Sequence, residues 1–326
     1  MKLRLSAALI VGASLIAAQA SSVQAEAIKI GIMNFGPHPV LDAVVNGFKD
    51  GMAKRGYVEG KNVVYNYTHA SFKPNLLQQG LAKIKAGNPN LVVTVTTPVS
   101  QAAKKMFADK GVPQVFTAVT DPIAAGLTPS WSKGGNNITG ASDQQDMDGV
   151  FAFMRKLLPN AKKIGVPFNP GEANDASLAK TMEAMAPKHG FSILKVGVDK
   201  TSDIPVRTQS LMGKVDTVFI LPSNLISPAT PALVSVTRRH KIPVIDYSPS
   251  STKKHQTLAS YTVDWSGIGG ITAGLAVAIL QGKSAASLAP VKPKAEAHQA
   301  YISGKRLKAL GIKLPGSLAN CDCVLK

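Results

Sequence analysis

Cysteine is almost missing from this chain: Cys321 and Cys323 are the only two in 326 residues. No disulfide framework can carry the fold, so hydrophobic cores must. The pair leaves two readings open, a tail disulfide or part of a metal site for which only His298 is close in sequence. Aromatic residues are sparse at 6%, yet 45% of the chain is hydrophobic, which excludes wholesale disorder. Acidic residues are few, 19 against 37 basic ones, for a formal charge of +18. Such an excess suits nucleic acid, but no block of like charges exists. The densest clusters are pairs such as Lys104-Lys105, Lys162-Lys163, Arg238-Arg239 and Lys253-Lys254. We therefore expect no nucleic-acid partner, and a solvated basic surface or one facing an anionic membrane or acidic protein.

Catalytic and cofactor motifs are missing as well. Gly282-Lys283-Ser284 resembles the end of a phosphate-binding loop, but Val277 stands where its first glycine is required. Gly267-x-Gly269 has Thr272 in place of the third glycine of a dinucleotide fingerprint. No nucleophile elbow occurs, and His38, His69, His189, His240, His255 and His298 show no metal-ligand spacing. The expectation is no metal, no other cofactor and no enzyme, with a triad assembled across space the one enzymatic arrangement left open. A long uncharged run over Trp265–Gly282 contains Gly267, Gly269, Gly270 and Gly274, with Ile268, Ile271, Leu275 and Ile279 near helical spacing. It reads as a buried soluble helix, not a membrane span.

What is present begins with an export signal. Lys2 and Arg4 precede an apolar Leu5–Ala18, and Val23-Gln24-Ala25 forms an A-x-A-like cleavage site. Cleavage after Ala25 would leave a mature chain starting at Glu26. The apolar run is short for an anchor, and no cysteine near the cut offers a lipid acceptor. This predicts a soluble, non-lipidated protein exported to a bacterial periplasm.

From Glu26 onward strands and helices alternate. Short apolar runs at Ile28–Met33, Leu91–Val95, Gln114–Val119, Lys163–Phe168, Thr217–Leu221 and Pro243–Asp246 read as buried parallel strands, joined by others near Asn62–Thr68, Phe191–Val196 and Thr257–Val263. Helices are expected over Pro39–Arg55, Pro74–Lys85, 98–109, 143–158, 172–188, 203–212 and 227–239. Strands separated by helices build parallel sheets through right-handed crossovers. The reading is an α/β chain with two doubly wound parallel-sheet lobes joined near Thr139–Asp143. Lobe 1 is expected over 26–140 plus about 264–290, and lobe 2 over 141–263 plus about 291–326.

In such sheets ligands sit beyond the carboxyl ends of the strands. Those ends here carry Asn34-Phe35 and His38, Thr96-Thr97, Thr120-Asp121, Phe168-Asn169, Ser223-Asn224 and Asp246-Tyr247. Each segment is also a good helix cap or turn. Together they form the candidate ligand-binding set. Thr97 and Thr120 would hold an anionic group such as a carboxylate, aided by helix N-termini. Asp121 and Asp246 would face an ammonium, with Asn169 and Asn224 engaging from the second lobe. Phe35, Phe168 and Tyr247 would supply apolar walls.

Longer stretches carry a family likeness. His38-Pro39-Val40-Leu41-Asp42, Gly56-Tyr57-Val58-Glu59-Gly60-Lys61-Asn62, Thr97-Pro98-Val99-Ser100-Gln101-Ala102, Phe116-Thr117-Ala118-Val119-Thr120-Asp121-Pro122 and Asn169-Pro170-Gly171-Glu172-Ala173-Asn174 resemble the tryptophan/unspecified-substrate (TrpX-like) group of ABC-transporter substrate-binding proteins. The likeness runs through Ala309-Leu310-Gly311-Ile312. It implies a type I periplasmic binding-protein fold, with a hinge and an interlobe ligand cleft. It also implies a monomer that delivers a small polar ligand, an amino acid or a relative, to an ABC permease in the inner membrane. Pro37 stands where relatives often have an acidic residue, and Pro222-Ser223-Asn224 where they often have Thr-Asp-Asn, which weakens the case for an ammonium and leaves the carboxylate-facing hydroxyls. A ligand-sensing partner of a membrane receptor, or a periplasmic enzyme on the same scaffold, are the alternatives.

Overall fold

The computed structural model describes residues 26–107 and 111–326. The export segment read in residues 1–25, and the end of the helix expected over 98–109, lie outside the described residues. In chain order the first part contains β1 (Ile28–Asn34), α1 (Pro39–Ala53), β2 (Val63–His69), α2 (Leu77–Ala86), β3 (Leu91–Val95), α3 (Thr97–Phe107), β4 (Gln114–Thr117) and β5 (Ile138–Ala141). Then come α4 (Met147–Leu157), β6 (Lys163–Phe168), α5 (Ala173–Met185), β7 (Ser192–Gly197), α6 (Ile204–Gln209), β8 (Thr217–Ile220), α7 (Thr230–Arg239), β9 (Val244–Asp246), α8 (Pro249–Lys253) and β10 (Ala259–Val263). The chain ends with α9 (Trp265–Leu280), β11 (His298–Ser303), α10 (Gly304–Leu310) and β12 (Val324–Leu325).

Two sheets result, each the centre of a lobe. The first has the order β2-β1-β3-β4-β5 and is parallel throughout. Its inner strands β1, β3 and β4 are largely apolar and buried because both faces are covered, whereas the edge strand β2 is half-exposed. Ile30, Ile32 and Val93 pack with Val44 and Phe48 of α1 and Ala273 of α9, and Met33 and Val92 pack with Leu81 and Ile84 of α2 and Val99 of α3. The second sheet has the order β12-β11-β10-β9-β8-β6-β7. Phe151, Met154 and Leu178 cover one face, and Ile204, Leu233 and Val234 the other.

Several sequence expectations need correction. The second sheet is not wholly parallel, since β11 runs antiparallel to β10 and carries β12 at the edge. This edge was illegible because β11 is half-exposed and β12 has two residues. The strand expected to reach Val119 stops at Thr117, where Ala118 turns left-handed at φ 52°. The helix expected from 143 starts at Met147, capped by Asp146, whose carboxylate accepts from the Gly149 amide at 3.1 Å. Cys321 and Cys323 are joined as a disulfide, and no cluster of three metal-ligating side chains exists among the described residues.

Three stretches of chain pass between the lobes: 142–146 after β5, Asp264 between β10 and α9, and 291–297 before β11. They are hydrogen-bonded to one another. Ser142 N donates to Val291 O at 2.7 Å, Asp264 N to Ala297 O at 2.9 Å, and Asp146 N to His298 Nε2 at 3.0 Å. This bundle is the hinge. It is anchored by α9, which lies directly on α1 through small residues. A Cβ on Gly47 would fall on the Ser266 carbonyl, one on Gly269 on the Val44 carbonyl, and one on Gly51 would sit 2.7 Å from Ala273 Cβ. The two backbones approach this closely only because side chains are missing there.

Gly47→Val should therefore overpack the α1–α9 contact and lower unfolding stability by about 2–3 kcal/mol, read as a shift of the urea midpoint. An unchanged midpoint would show that the helices can separate without loss.

Candidate functional site

A cavity lies between the lobes where the carboxyl ends of the strands face each other. Its unfilled space is about 380 Å³, counting the open mouth. The first lobe contributes His38, Val40, Leu41, Phe72, Thr96, Thr97, Ala118 and Thr120. The second contributes Asn174, Pro222, Ser223, Asn224, Ser227 and Tyr247, and the hinge gives Asp143 and Trp265.

The backbone is strained to deliver the first-lobe groups. Thr96 follows β3 with φ 85° and Ala118 follows β4 with φ 52°. A β-branched residue in the left-handed region is an outlier that neighbours must hold in place. Thr96 is held by its amide, which donates to Thr117 O at 3.0 Å, and by its carbonyl, which accepts from Ser100 N and Ser100 Oγ. The kink lets α3 open at Thr97, with its N-terminus on the cavity. Phe72 arrives by a similar device. Ser71 and Phe72 are both left-handed, at φ 50° and 59°, and the ring folds back over Gly36, where any Cβ would strike it.

Several polar groups around the cavity lack partners among the described residues. His38 Nδ1, Thr96 Oγ1, Thr97 Oγ1, Asp143 Oδ1 and Asn174 Oδ1 are all buried without a hydrogen bond from another residue. Buried polar groups are almost always paired, so five around one cavity mark a place for a hydrogen-bonding ligand. The aromatic groups form a continuous wall. His38 and Tyr247 stack across the lobes with centroids 6.5 Å apart, and Tyr247 meets Trp265 edge-on at 5.7 Å. The Trp265 indole N–H is satisfied by Thr262 Oγ1 at 3.0 Å.

Burial sets the charge states. It pulls the His38 imidazole down to about 4, with help from the Lys254 charge, so His38 is neutral near pH 7. It pushes the Asp143 carboxyl up to about 6 and that of Asp246 up to about 7. The Tyr247 phenol is raised by burial and then by the Asp246 charge. Asp175 is raised by burial and by neighbouring Glu172.

Of the residues expected from sequence, His38, Thr96, Thr97, Thr120, Ser223, Asn224 and Tyr247 line the cavity. The others are placed elsewhere. Asn34 donates to Tyr67 Oη at 3.1 Å, and Phe35 packs edge-on against Phe72 within the first lobe. Phe168 packs on the second core. Asn169 organises its own loop, accepting from Gly171 N at 2.9 Å and donating to Glu172 at 3.1 Å. Asp121 accepts from Ile123 N and Ala124 N at 3.0 Å each, and from Ser177 Oγ at 2.9 Å. Asp246 lies behind Tyr247, fully buried, accepting from Ser248 N at 3.1 Å. Sequence reasoning missed Phe72, Asp143, Asn174, Ser227 and Trp265 as cavity residues. Phe72 follows β2 and reaches the cavity only through two consecutive left-handed residues, which no local pattern announces. Asn174 and Trp265 fall in the first turns of helices and read as helix, and Asp143 sits on a hinge crossing.

Comparisons with known proteins agree with this geometry. The family model described as ABC transporter substrate binding protein matches residues 29–322. A protein named tyrosine-binding protein from Clostridioides difficile (strain R20291) is 32% identical over 284 residues, 87% of this chain and 81% of that one. A solved structure from Streptococcus pneumoniae, described as an ABC domain in complex with L-Trp, superposes with a TM-score of 0.86 at 28% identity, over 92% of this chain and 100% of that one. The ligand-free, open structure of a substrate-binding protein with adhesive properties from Clostridium difficile gives 0.70 at 29% identity, over 92% and 99%. At 28% and 29% identity respectively, this chain superposes better on the L-Trp complex than on the ligand-free, open structure. Among the described residues no helix is long and apolar enough to cross a membrane.

The raised Asp246 carboxyl carries a pH signature. The folded state holds its proton more tightly than the unfolded state, so its contribution is full below about pH 4 and lost as pH rises through about 7. Asp246→Asn cannot ionise. Its stability relative to the parent protein should grow between pH 4 and 7 and level off above, in thermal melts of the unliganded proteins. A pH-independent difference would place the Asp246 carboxyl at its ordinary value.

Proposed function

The chain belongs to the ABC transporter substrate-binding proteins, a family of solute receptors and not of enzymes, and from that premise we propose that it is a periplasmic receptor for an aromatic amino acid. It closes on the ligand and presents it to the permease of an ABC importer. The observation that carries the reading is the interlobe cavity, where five partnerless polar atoms face an aromatic wall of Phe72, Tyr247 and Trp265. The amino-acid class is supported by the relatives named for tyrosine and solved with L-Trp.

In this reading the ligand carboxylate lies against Thr96, Thr97 and Thr120, near the N-terminus of α3, where hydroxyls and the helix dipole favour negative charge. The ammonium lies against Asp143 and Asn174. Those acceptors replace the acidic groups missing at Pro37 and Ser223. The side chain fills the space beside Phe72, Tyr247 and Trp265. Ligand contacts to both lobes select the closed arrangement over the open one. Residues 1–25 direct export and are removed after Ala25, leaving a soluble, non-lipidated monomer.

The test is a thermal-shift screen of the chain from Glu26 to Lys326 against amino acids, sugars, nucleobases and organic acids, followed by calorimetry. An aromatic amino acid at about 100 times its Kd should add roughly 2.7 kcal/mol of stability. Thr97→Val removes one hydroxyl at nearly constant shape and should weaken binding about tenfold. A response confined to sugars or nucleobases would overturn the reading.

A further inference from the structure

One hydrogen bond joins the lobes away from both the cavity and the hinge. Asp121 follows β4 in the first lobe, and Ser177 stands on α5 in the second. Ser177 Oγ donates to Asp121 Oδ2 at 2.9 Å. Apart from the hinge crossings, no other hydrogen bond connects the lobes among the described residues. Neither residue lines the cavity, and both border a separate groove shared with Gln144, Asp146 and Lys292. Each partner is held by its own lobe. Asp121 Oδ1 accepts from Ile123 N and Ala124 N at 3.0 Å each, and Asp121 O accepts from Ala125 N at 2.9 Å. Ala125 O in turn accepts from Gln101 Nε2 of α3 at 3.1 Å. One carboxylate oxygen thus fixes the side chain on its loop, which leaves Oδ2 to face Ser177. On the other side, buried Leu178, Ala179 and Met182 seat α5 on the second core.

We propose that Asp121 and Ser177 form a closure latch, a contact made only when the lobes come together, which holds the closed form and slows ligand release without touching the ligand. This rests on the receptor reading above, in which binding closes the lobes. With the lobes apart both groups are hydrated, so the bond counts toward the closed form alone. Its effect belongs to the equilibrium between lobe arrangements and not to the cavity, so it raises affinity for any closing ligand by the same factor. Asp121 suits this use because its carboxylate is already anchored by two amides, and little side-chain freedom is lost when the second oxygen engages. Asp121 stands directly after the cavity residue Thr120, so the latch closes beside the site it guards.

The test is Ser177→Ala, followed by calorimetry and stopped-flow mixing with L-tyrosine and L-tryptophan. Affinity should fall about fivefold for both, through faster dissociation at an unchanged association rate. The urea midpoint of the unliganded protein should not move. In an Asp121→Ala background, Ser177→Ala should cost nothing further. Ser177→Thr keeps the hydroxyl and should restore the parent kinetics. An unchanged Kd, unequal losses for the two ligands, or an undiminished loss in the Asp121→Ala background would overturn the latch. A second arm needs no ligand. Ser177→Lys sets a cation against Asp121, and Ser177→Asp sets a second carboxylate there. In small-angle scattering of the unliganded proteins, Ser177→Lys should give a smaller radius of gyration than Ser177→Asp. Equal radii would overturn the latch whatever the ligand is. If the radii differ and neither amino acid binds the parent protein, the latch stands and the amino-acid reading falls.

Discussion

Burying polar atoms that the protein does not itself satisfy is the constraint around which the molecule is arranged. Each such group forfeits roughly 1–3 kcal/mol when it loses water without gaining a partner. Five of them converge on the cavity between the lobes. An arrangement of this kind resists closure until something else supplies the missing hydrogen bonds. A ligand that contacts both lobes then shifts the equilibrium by its differential affinity for the closed form. The lobe arrangement of this chain is nearer to that of a relative solved with L-Trp than to that of a relative solved ligand-free and open.

Everything else in the fold serves to hold those atoms in place. The parallel strands of each sheet aim their carboxyl ends at one edge, and two such edges facing each other create the cleft. Left-handed residues at Thr96 and Ala118 end β3 and β4 abruptly, so that hydroxyls and a helix start point into the cavity instead of continuing the strand. The hinge is three crossings bonded to one another, and α9 ties it to α1 through a contact that admits no side chain at Gly47 or Gly269. A rigid anchor at the hinge lets the lobes move as bodies while the site keeps its shape within each.

Much of this was legible in sequence because the fold signal is a matter of period and the site rule is a matter of topology. Apolar runs such as Leu91–Val95, followed by helical spacing, give parallel strands and crossovers whatever the ligand. The rule that ligands meet strand ends then found His38, Thr96, Thr97, Thr120, Ser223, Asn224 and Tyr247. It misled at Asp121, Asn169 and Asp246, because an Asp or Asn at a strand end serves equally to cap its own loop. No local pattern separates the two uses. The groups it missed are set by tertiary contact. Phe72 reaches the cavity only through two consecutive left-handed residues, and Asp143 only because the chain crosses lobes there. The edge strands β11 and β12 escaped notice because half-exposed short strands have little apolar periodicity.

The charge distribution finally separates surface from site. The chain carries 37 basic residues, yet none of the cavity-lining side chains is Lys or Arg. Recognition there falls to neutral hydroxyls and amides and to Asp143, whose carboxyl burial raises to about 6. A buried carboxyl in that range is inexpensive to hold protonated. It is ionised readily when a cation arrives, because an opposite charge nearby lowers its value again. A fixed Arg on the same wall would bind any carboxylate regardless of what else the ligand carried. In the amino-acid reading proposed above, neutral donors on one lobe and an adjustable acid at the hinge answer the two ends of a zwitterion together, so that closure depends on both being present.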